Sequence, residues 1–398
     1  MTILDWALIG AVFFSFVGLL MTVVNLRCYQ PPFRIGARAG ASPAGDGAAA
    51  GETELVSVCI PARNEEANIE PCVRSLLAQT HARLEVLAYN DQSTDATGTI
   101  LERLVKEDAR VRVVPTVPLP TGWNGKQWGC DNMGRAAKGR WLLFTDADVR
   151  FEPSCVELTL GSARALDTAM LSTFPRQITG TLAEVLAVPM IHFILFSYLP
   201  MPRMRGTMDP AASAACGQFI LCRADAYGAS GGHGAFKASM HDGVMMPRAV
   251  RRAGFKTDLF DGTRLCEVRM YRGLMQVWRG FTKNAFEGLG SIGLLVFVTL
   301  VHLLAHVLPW CVLGWLAIAV LRGIEGLPVL ASALAVLCVL MHLVQRALLA
   351  ARFAQSLLGV ALHPLGVLMM TTIQWHSWWL HITGRRAWKG RVQTAPGA

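Results

Sequence analysis

The segment Leu142-Leu143-Phe144-Thr145-Asp146-Ala147-Asp148 is an apolar run that ends in two carboxylates separated by one residue. A hard divalent cation bridging to a diphosphate needs this arrangement: oxygen ligands fixed at a strand's end, open positions for phosphate and water, and dry walls behind. Turns after strands also collect aspartates, because the side chain caps backbone NH groups, so the Asp-x-Asp by itself leaves both readings open. Two more polar clusters follow apolar runs. Pro61-Ala62-Arg63-Asn64-Glu65-Glu66 comes after Val56-Ser57-Val58-Cys59-Ile60, and Asn90-Asp91-Gln92-Ser93-Thr94-Asp95 after Leu84 to Tyr89. Asp91, directly at its strand end, suits an acceptor for a nucleobase NH or a ribose hydroxyl, whereas Ser93 and Asp95 suit helix caps equally well. Gly122-Trp123-Asn124-Gly125-Lys126-Gln127-Trp128 reads as a glycine-punctuated loop, from which Lys126 either reaches a phosphate or stays in solvent.

The elements that must hold these residues follow from the pattern. Strands are expected at Val56–Ile60, Leu84–Tyr89, Val111–Val114 and Trp141–Phe144, with helical patterns at Ala67–Gln79 and Ala96–Lys106 and a further helix ending at Met133–Ala137. Strands alternating with helices of this length imply crossover connections and an α/β domain with a mostly parallel sheet, which binds ligands beyond the carboxyl ends of its strands. All three polar clusters fall on that edge.

The chain has 398 residues, a hydrophobic content of 53% and a formal charge of +9. Its mean hydropathy of +0.38 is too apolar for an ordinary soluble protein and calls for membrane segments. Ile3 to Val24 is long enough to cross a bilayer; no Lys or Arg precedes it, while Arg27, Arg34 and Arg38 follow, which places the next domain in the cytoplasm. The expected division is residues 1–26 as a transmembrane helix, 27–54 as a Gly- and Ala-rich flexible linker, 55–286 as the soluble domain, 287–384 as membrane helices and 385–398 as a basic cytoplasmic tail. Four full crossings would put that tail outside, against the positive-inside rule, so Leu357–Leu380, with Pro364 and Gly366, is expected to be re-entrant or interfacial. The ten cysteines are scattered without metal-ligand spacing and support neither zinc nor disulfides. Basic residues spread along the chain without interleaved aromatics argue against nucleic acid and for anionic lipid and an anionic nucleotide. His302 and His306, four apart on an apolar helix, lack a third ligand and read as interhelical hydrogen bonding; His363, His376 and His381 mark a water boundary.

Pro61-Ala62-Arg63-Asn64-Glu65, Asn90 to Thr97, Gly125-Lys126 with Asn132, and Asp146-Ala147-Asp148 resemble, in order, the motifs of family 2 glycosyltransferases of the GT-A fold. The likeness continues through Gly217-Gln218-Phe219, Gly231-Gly232-His233, Met240-His241-Asp242-Gly243, Arg248–Gly254 and Gln276-Val277-Trp278-Arg279. Within the family it is most similar to membrane enzymes that glycosylate isoprenoid lipids, the carotenoid and hopanoid-associated transferases. The resemblance implies that Pro61, Arg63, Glu65 and Asp91 serve the nucleotide, Lys126 its phosphates, and Asp148 a Mg²⁺ or Mn²⁺ ion, with Asp146 nearby at the metal and sugar. It makes Asp242 the general base and gives Gln276 and Arg279 to the diphosphate or acceptor. Two departures stand out: Asn90-Asp91 replaces an aspartate pair, and Gly280 stands where the Gln-x-x-Arg-Trp element has its Trp, which points to a non-processive enzyme. Asp242 also reads as a cap for a helix at Val244–Arg252, and the glycines around His233 as a closing loop or a plain turn. The resulting expectation is an inverting, metal-dependent transferase, multi-pass in the inner membrane, moving a sugar from a UDP-sugar to a membrane lipid. A polysaccharide synthase and a non-catalytic nucleotide-sugar sensor are the alternatives.

Overall fold

A seven-stranded sheet, in the order β3-β2-β1-β4-β8-β6-β9, organises the larger part of the chain. Its strands are β1 (Val56–Ala62), β2 (Leu84–Asn90), β3 (Val111–Val113), β4 (Trp141–Thr145), β6 (Met170–Ser172), β8 (Phe219–Arg223) and β9 (Thr257–Leu259). A second, three-stranded sheet combines β5 (Val149–Phe151), β10 (Cys266–Val268) and β7 (Arg176–Gln177). These come from a computed structural model that describes residues 1–38, 54–385, 387–388 and 391–392.

The chain forms two compact units. Cys28–Ile178 and Met201–Met270, with the tail from Ala387, make the sheet unit; Met1–Arg27, Thr179–Pro200 and Tyr271–Arg386 make the helical one. The sheet unit ends at Met270, and Thr179–Pro200, inside the range expected for it, belongs to the helical unit. Of the expected linker, Pro32–Arg38 is helical and 39–53 lie outside the described residues.

Alternation along the strands builds two cores. Val58, Ile60, Val86, Ala88, Leu143 and Leu221 face the helices Ile69–Leu77, Thr97–Glu107 and Cys155–Ala165. Cys59, Leu87, Tyr89, Leu142, Phe144 and Ile220 face the helices Gly125–Ala136, Ala224–Ala229 and Asp242–Arg252. Both faces are covered, which is why the strands read as near-continuous apolar runs. β3, β2, β1 and β4 are parallel, whereas β8 runs antiparallel to both β4 and β6. The registers Ala62↔Asn90 and Cys59↔Phe144 bring residues 63–65, 91 and 146–148 to one edge.

In the helical unit, Ile3–Cys28, Ile292–Arg322 and Val329–Phe353 are long and apolar enough to cross a membrane. Ile292–Arg322 contains a π-helical segment at His302–Val307, just ahead of Pro309. The expected interruption at Pro364 is displaced: Leu357–Ala361 is a separate short helix, and His363–Ile382 then runs unbroken. Pro364 lies in its first turn, where a missing NH costs no intrahelical bond. Gly366 lets the backbone approach the Leu186 carbonyl, which a Cβ would meet at 2.8 Å. The described residues of the basic tail, Ala387–Trp388 and Arg391–Val392, form a short antiparallel pair.

The loops after β1 and β2 hold each other. Asn64 and Gln92 both adopt left-handed backbone, at φ 52°, a conformation that non-glycine residues rarely take without support. Ser93 Oγ accepts from Asn64 NH at 3.0 Å, and Asn64 Oδ1 accepts from Thr94 NH at 2.8 Å. Asp95 accepts from Thr97 NH and Oγ1 and from Glu66 NH, so it ties the two loops together just ahead of the helix Thr97–Glu107, whose cap position is Ala96. Asp95→Ala is expected to cost about 1 kcal/mol of stability in urea unfolding while leaving nucleotide affinity within a few-fold of wild type.

Candidate active site

Asp146 and Asp148 sit on the turn between β4 and β5, with Ala147 between them turned into the core. Thr145 anchors this turn sideways, donating to the Gln218 carbonyl at 2.8 Å. Asp148 is deeply set, and its Oδ1 is buried with no hydrogen-bond partner. Burial first, then the charges of Asp146 and Glu65, push its carboxyl up from 3.8 to about 7. A carboxylate destabilised in this way needs a cation. The two aspartates are oxygen donors of the type Mg²⁺ and Mn²⁺ take, and the orphaned Asp148 Oδ1 fits such an ion.

Lys126 corrects one expectation. It stands in the first turn of the helix Gly125–Ala136 rather than in a loop. Asn124 caps that helix, its side chain accepting from Lys126 NH at 2.9 Å. Lys126 Nζ lies 2.7 Å from Asp146 Oδ1 and 2.8 Å from Asp242 Oδ2. Burial alone would lower the pKa of this amine, but Asp146 and then Asp242 raise it well above its usual value.

Asp242 is the first residue of the helix Asp242–Arg252, with Oδ1 accepting from Gly243 NH at 2.8 Å. The alternative of an exposed helix cap does not describe it, because the side chain is buried and paired to Lys126. Burial would raise its carboxyl, and the lysine outweighs that, holding it down at about 2. Two glycines make this placement possible. A Cβ at Gly217 would collide with the Asp242 carboxylate, and one at Gly243 with the Ala215 carbonyl. In the sequence Gly217 stands out only as part of a motif; the demand for a bare backbone there is visible only once β8 lies beside β4.

The other expected residues divide. Asp91 is buried at the end of β2, and Arg63 braces it, donating to the Asp91 carbonyl at 2.6 Å and standing 3.9 Å from its Oδ2. Glu65 accepts from Asn68 Nδ2 at 3.0 Å and acts on Asp148 through its charge. Pro61 lies within β1, opposite Tyr89. Gln276 and Arg279 belong to the helical unit, on Leu274–Thr282, where Gln276 Oε1 accepts from Arg272 NH at 2.8 Å. Gly280 has a local reason: the Tyr271 ring lies against it, where any Cβ would collide.

Sequence reasoning passed over the supports behind the base. Gln127 donates to the Ser239 carbonyl at 3.2 Å, and Asn124 NH to the Lys237 carbonyl at 2.7 Å. Both tie the lysine's helix to the segment leading into Asp242. His233 is buried in a 3₁₀ turn, Gly232–Phe236, whose φ values of 76° at Gly231 and 53° at Gly232 require glycine. Its Nδ1 pairs with Tyr227 Oη at 2.9 Å, and burial keeps the ring neutral, with a pKa of about 3. The glycines therefore shape a packed turn.

The mixed sheet carries its Asp-x-Asp turn at the end of β4, its central parallel strand. Residues 57–229 match glycosyl transferase family 2, and the chain carries a glycosyltransferase family 2 domain of the GT-A type. It is 26% identical over 246 residues to the 4,4'-diaponeurosporenoate glycosyltransferase of Staphylococcus aureus, covering 60% of this chain and 62% of that protein. It is 39% identical over 95 residues to the uncharacterized glycosyltransferase EpsJ of Bacillus subtilis, covering 24% of this chain and 26% of that one. The chain thus spans about a quarter of one of these relatives and 62% of the other. Among solved structures, the mannosyltransferase PcManGT of Pyrobaculum calidifontis, in complex with GDP-Man and Mn²⁺, shares the fold. Its TM-score is 0.56 at 16% identity, over 96% of this chain and 99% of that one.

Two substitutions test the geometry. Gly217→Ala should push Asp242 from its place and lower sugar transfer about 100-fold or more, with a circular dichroism spectrum like that of wild type. Because the Asp148 carboxyl is raised, the folded protein bears a cost that grows as pH rises from 3.8 to about 7. Without added metal, Asp148→Asn should therefore melt higher than wild type at pH 8 and no higher at pH 4. Mn²⁺ should raise the melting temperature of wild type only.

Proposed function

We propose that the protein is a membrane-anchored, metal-dependent, inverting glycosyltransferase that passes one sugar from a UDP-sugar to a membrane lipid, an isoprenoid, at the cytoplasmic face of the inner membrane. The observation that carries this reading is the shared lysine, 2.7 Å from Asp146 at the donor edge and 2.8 Å from the proposed base Asp242. A scaffold that only bound nucleotide would have no use for a buried carboxylate at that place.

Asp91 at the end of β2 would accept from the uracil or ribose, with Arg63 fixing its backbone. Asp148 and Asp146 would hold the divalent ion, which when bound supplies a Lewis acid at the diphosphate. Lys126 is the one cation seen on both carboxylates. As the donor's phosphates arrive, its ammonium group is drawn towards them, and charge building on the leaving oxygen is offset there. That movement releases Asp242, which at a pKa of about 2 is a weak base while paired. Freed of the lysine, the buried carboxylate regains basicity and takes the proton of the acceptor hydroxyl as that oxygen attacks the anomeric carbon. The base is thereby active only when a donor is present, which limits wasteful reactions of an empty site. Direct displacement opposite the diphosphate inverts the anomeric centre and needs a single base.

Three helices with spanning length and composition, and arginines only after the first, support the membrane placement. The carotenoid-acid transferase among the relatives supports an isoprenoid acceptor. Gly280, packed under Tyr271, supports single-sugar transfer over polymer extension.

The test is transfer of radiolabel from a panel of UDP-sugars and GDP-mannose into organic-extractable lipid, using purified membranes with Mn²⁺. Wild type should label one lipid species, and Asp242→Asn should lower the rate about 10²- to 10⁴-fold with donor affinity retained. Full activity in that variant would remove Asp242 as the base. Label entering a polymer would favour the synthase reading, and donor binding without turnover the sensor.

A further inference from the structure

Three histidines from three helices of the helical unit turn their rings towards one another. His306 lies in the π segment of Ile292–Arg322, His342 in the middle of Val329–Phe353, and His363 at the start of His363–Ile382. All three are buried, at 2%, 0% and 0% exposure. The sequence offered only the pair His302 and His306; the missing ligand comes from chain positions far away. One nitrogen from each of the three rings lies within 4.8 Å of the other two. His306 Nδ1 and His363 Nε2 are 3.2 Å apart, and the His306 and His342 ring centroids are 4.5 Å apart.

These separations suit a tetrahedral ion. With Zn–N bonds near 2.0–2.1 Å, two ligand nitrogens stand about 3.3 Å apart. One pair is already at that distance, and the remaining separations exceed it by at most roughly 1.5 Å, within reach of small side-chain rotations. The outer contacts are of the right kind. His342 Nε2 pairs with Ser15 Oγ at 2.9 Å, and that hydroxyl in turn donates to the Ala305 carbonyl at 3.5 Å. With the proton on Nε2, the ring donates to Ser15 and the Nδ1 lone pair is the one that would take an ion. Trp310 Nε1 now donates to that Nδ1 at 3.2 Å and is the group an ion would displace.

His363 meets His306 through Nε2, which leaves its buried Nδ1 as the nitrogen that would carry the proton if Nε2 took an ion. The π segment also points the same way, since an irregular turn of this kind recurs at functional sites.

We propose that His306, His342 and His363 form a transition-metal site, with zinc(II) as the ion that three neutral imidazoles and a tetrahedral arrangement select. It is a clamp that joins three helices, two of which are also linked by the His302–Thr371 and Trp375–Thr299 hydrogen bonds. It is separate in residues and in ligand chemistry from the aspartates of the sheet unit, which offer only hard oxygen donors.

The experiment is a cobalt(II) titration of the full chain in lipid nanodiscs after chelator treatment, in the Asp148→Asn background so that the carboxylate site is removed. Expected are one equivalent of cobalt with the intense visible absorption of tetrahedral coordination, its displacement by one equivalent of zinc, and a higher melting temperature with zinc. His342→Ala and His363→Ala should abolish the absorption, and His376→Ala, on the same helix as His363, should keep it. Absorption that survives in both His342→Ala and His363→Ala would overturn the proposal. So would a titration of the intact triad that gives only weak octahedral absorption, and this arm decides the matter even if the alanine variants fail to fold.

Discussion

The ammonium group of Lys126 lies between two carboxylates that the chain brings from segments far apart in sequence. Asp146 comes with β4 and Asp242 with a helix that follows β8, and the lysine is 2.7 Å from one and 2.8 Å from the other. Two carboxylates brought this close would repel each other, and burial would raise the carboxyl of Asp242. The lysine removes that conflict, and its own burial is tolerable only because both partners are present. Nearly every local feature around it serves this pairing. Asn124 caps the lysine's helix, Gln127 ties that helix to the approach to Asp242, and Gly217 and Gly243 leave room for the base. Asp148, outside the pairing, is left with a carboxyl raised to about 7 and an oxygen without a partner. The site thus combines a satisfied pair and an unsatisfied donor side by side, which is a poised arrangement for an anionic, metal-bound ligand.

Much of this was legible in the sequence where local rules operate. The first four strands and the helices between them follow from apolar runs and their punctuation, and the carboxyl-edge clusters follow from the crossover rule. What the sequence did not show depends on pairings between distant segments. Lys126 reads as a loop residue because glycines surround it, yet Asn124 is an N-cap signature just ahead of it. Gly217 and Gly280 look like ordinary glycines until an Asp242 carboxylate and a Tyr271 ring are placed against them. Arg63 reads as a donor ligand, and the sequence gives no sign of its contact at 2.6 Å with the Asp91 carbonyl. The helical unit was the least legible part. Apolar content marks its helices, but the polar residues on them, His306, His342 and His363, are 36 and 21 residues apart in turn and meet only through helix packing.

The two units divide the chemistry by solvent as well as by sequence. On the sheet unit, charged groups are opposed by other charged groups and remain near enough to water for substrates to enter. In the helical unit, neutral polar side chains such as Gln345, bonded to Thr22 and Ser197 at 2.8 Å and 2.9 Å, join helices where water is scarce. Apolar side chains are poor at specifying one helix register against another, since many registers bury similar surface. Hydrogen bonds and a shared ion are better at it.

The order in which the chain visits the two units also governs how the enzyme is put together. After β7 ends at Gln177 the chain leaves the sheet, contributes Thr179–Pro200 to the helices and returns at Met201. Strand β8 comes only afterwards, yet it is the strand between β4 and β6. Until Arg223 has been synthesised, the sheet exists as two unjoined fragments, one led by β4 and the other a lone β6. A nascent chain that has exposed its Asp-x-Asp turn therefore still lacks Gly217, Asp242 and the central strand pairing. The pairing of Lys126 with Asp242 becomes possible only after β8 has closed the gap between β4 and β6, and until then both strands keep an open edge.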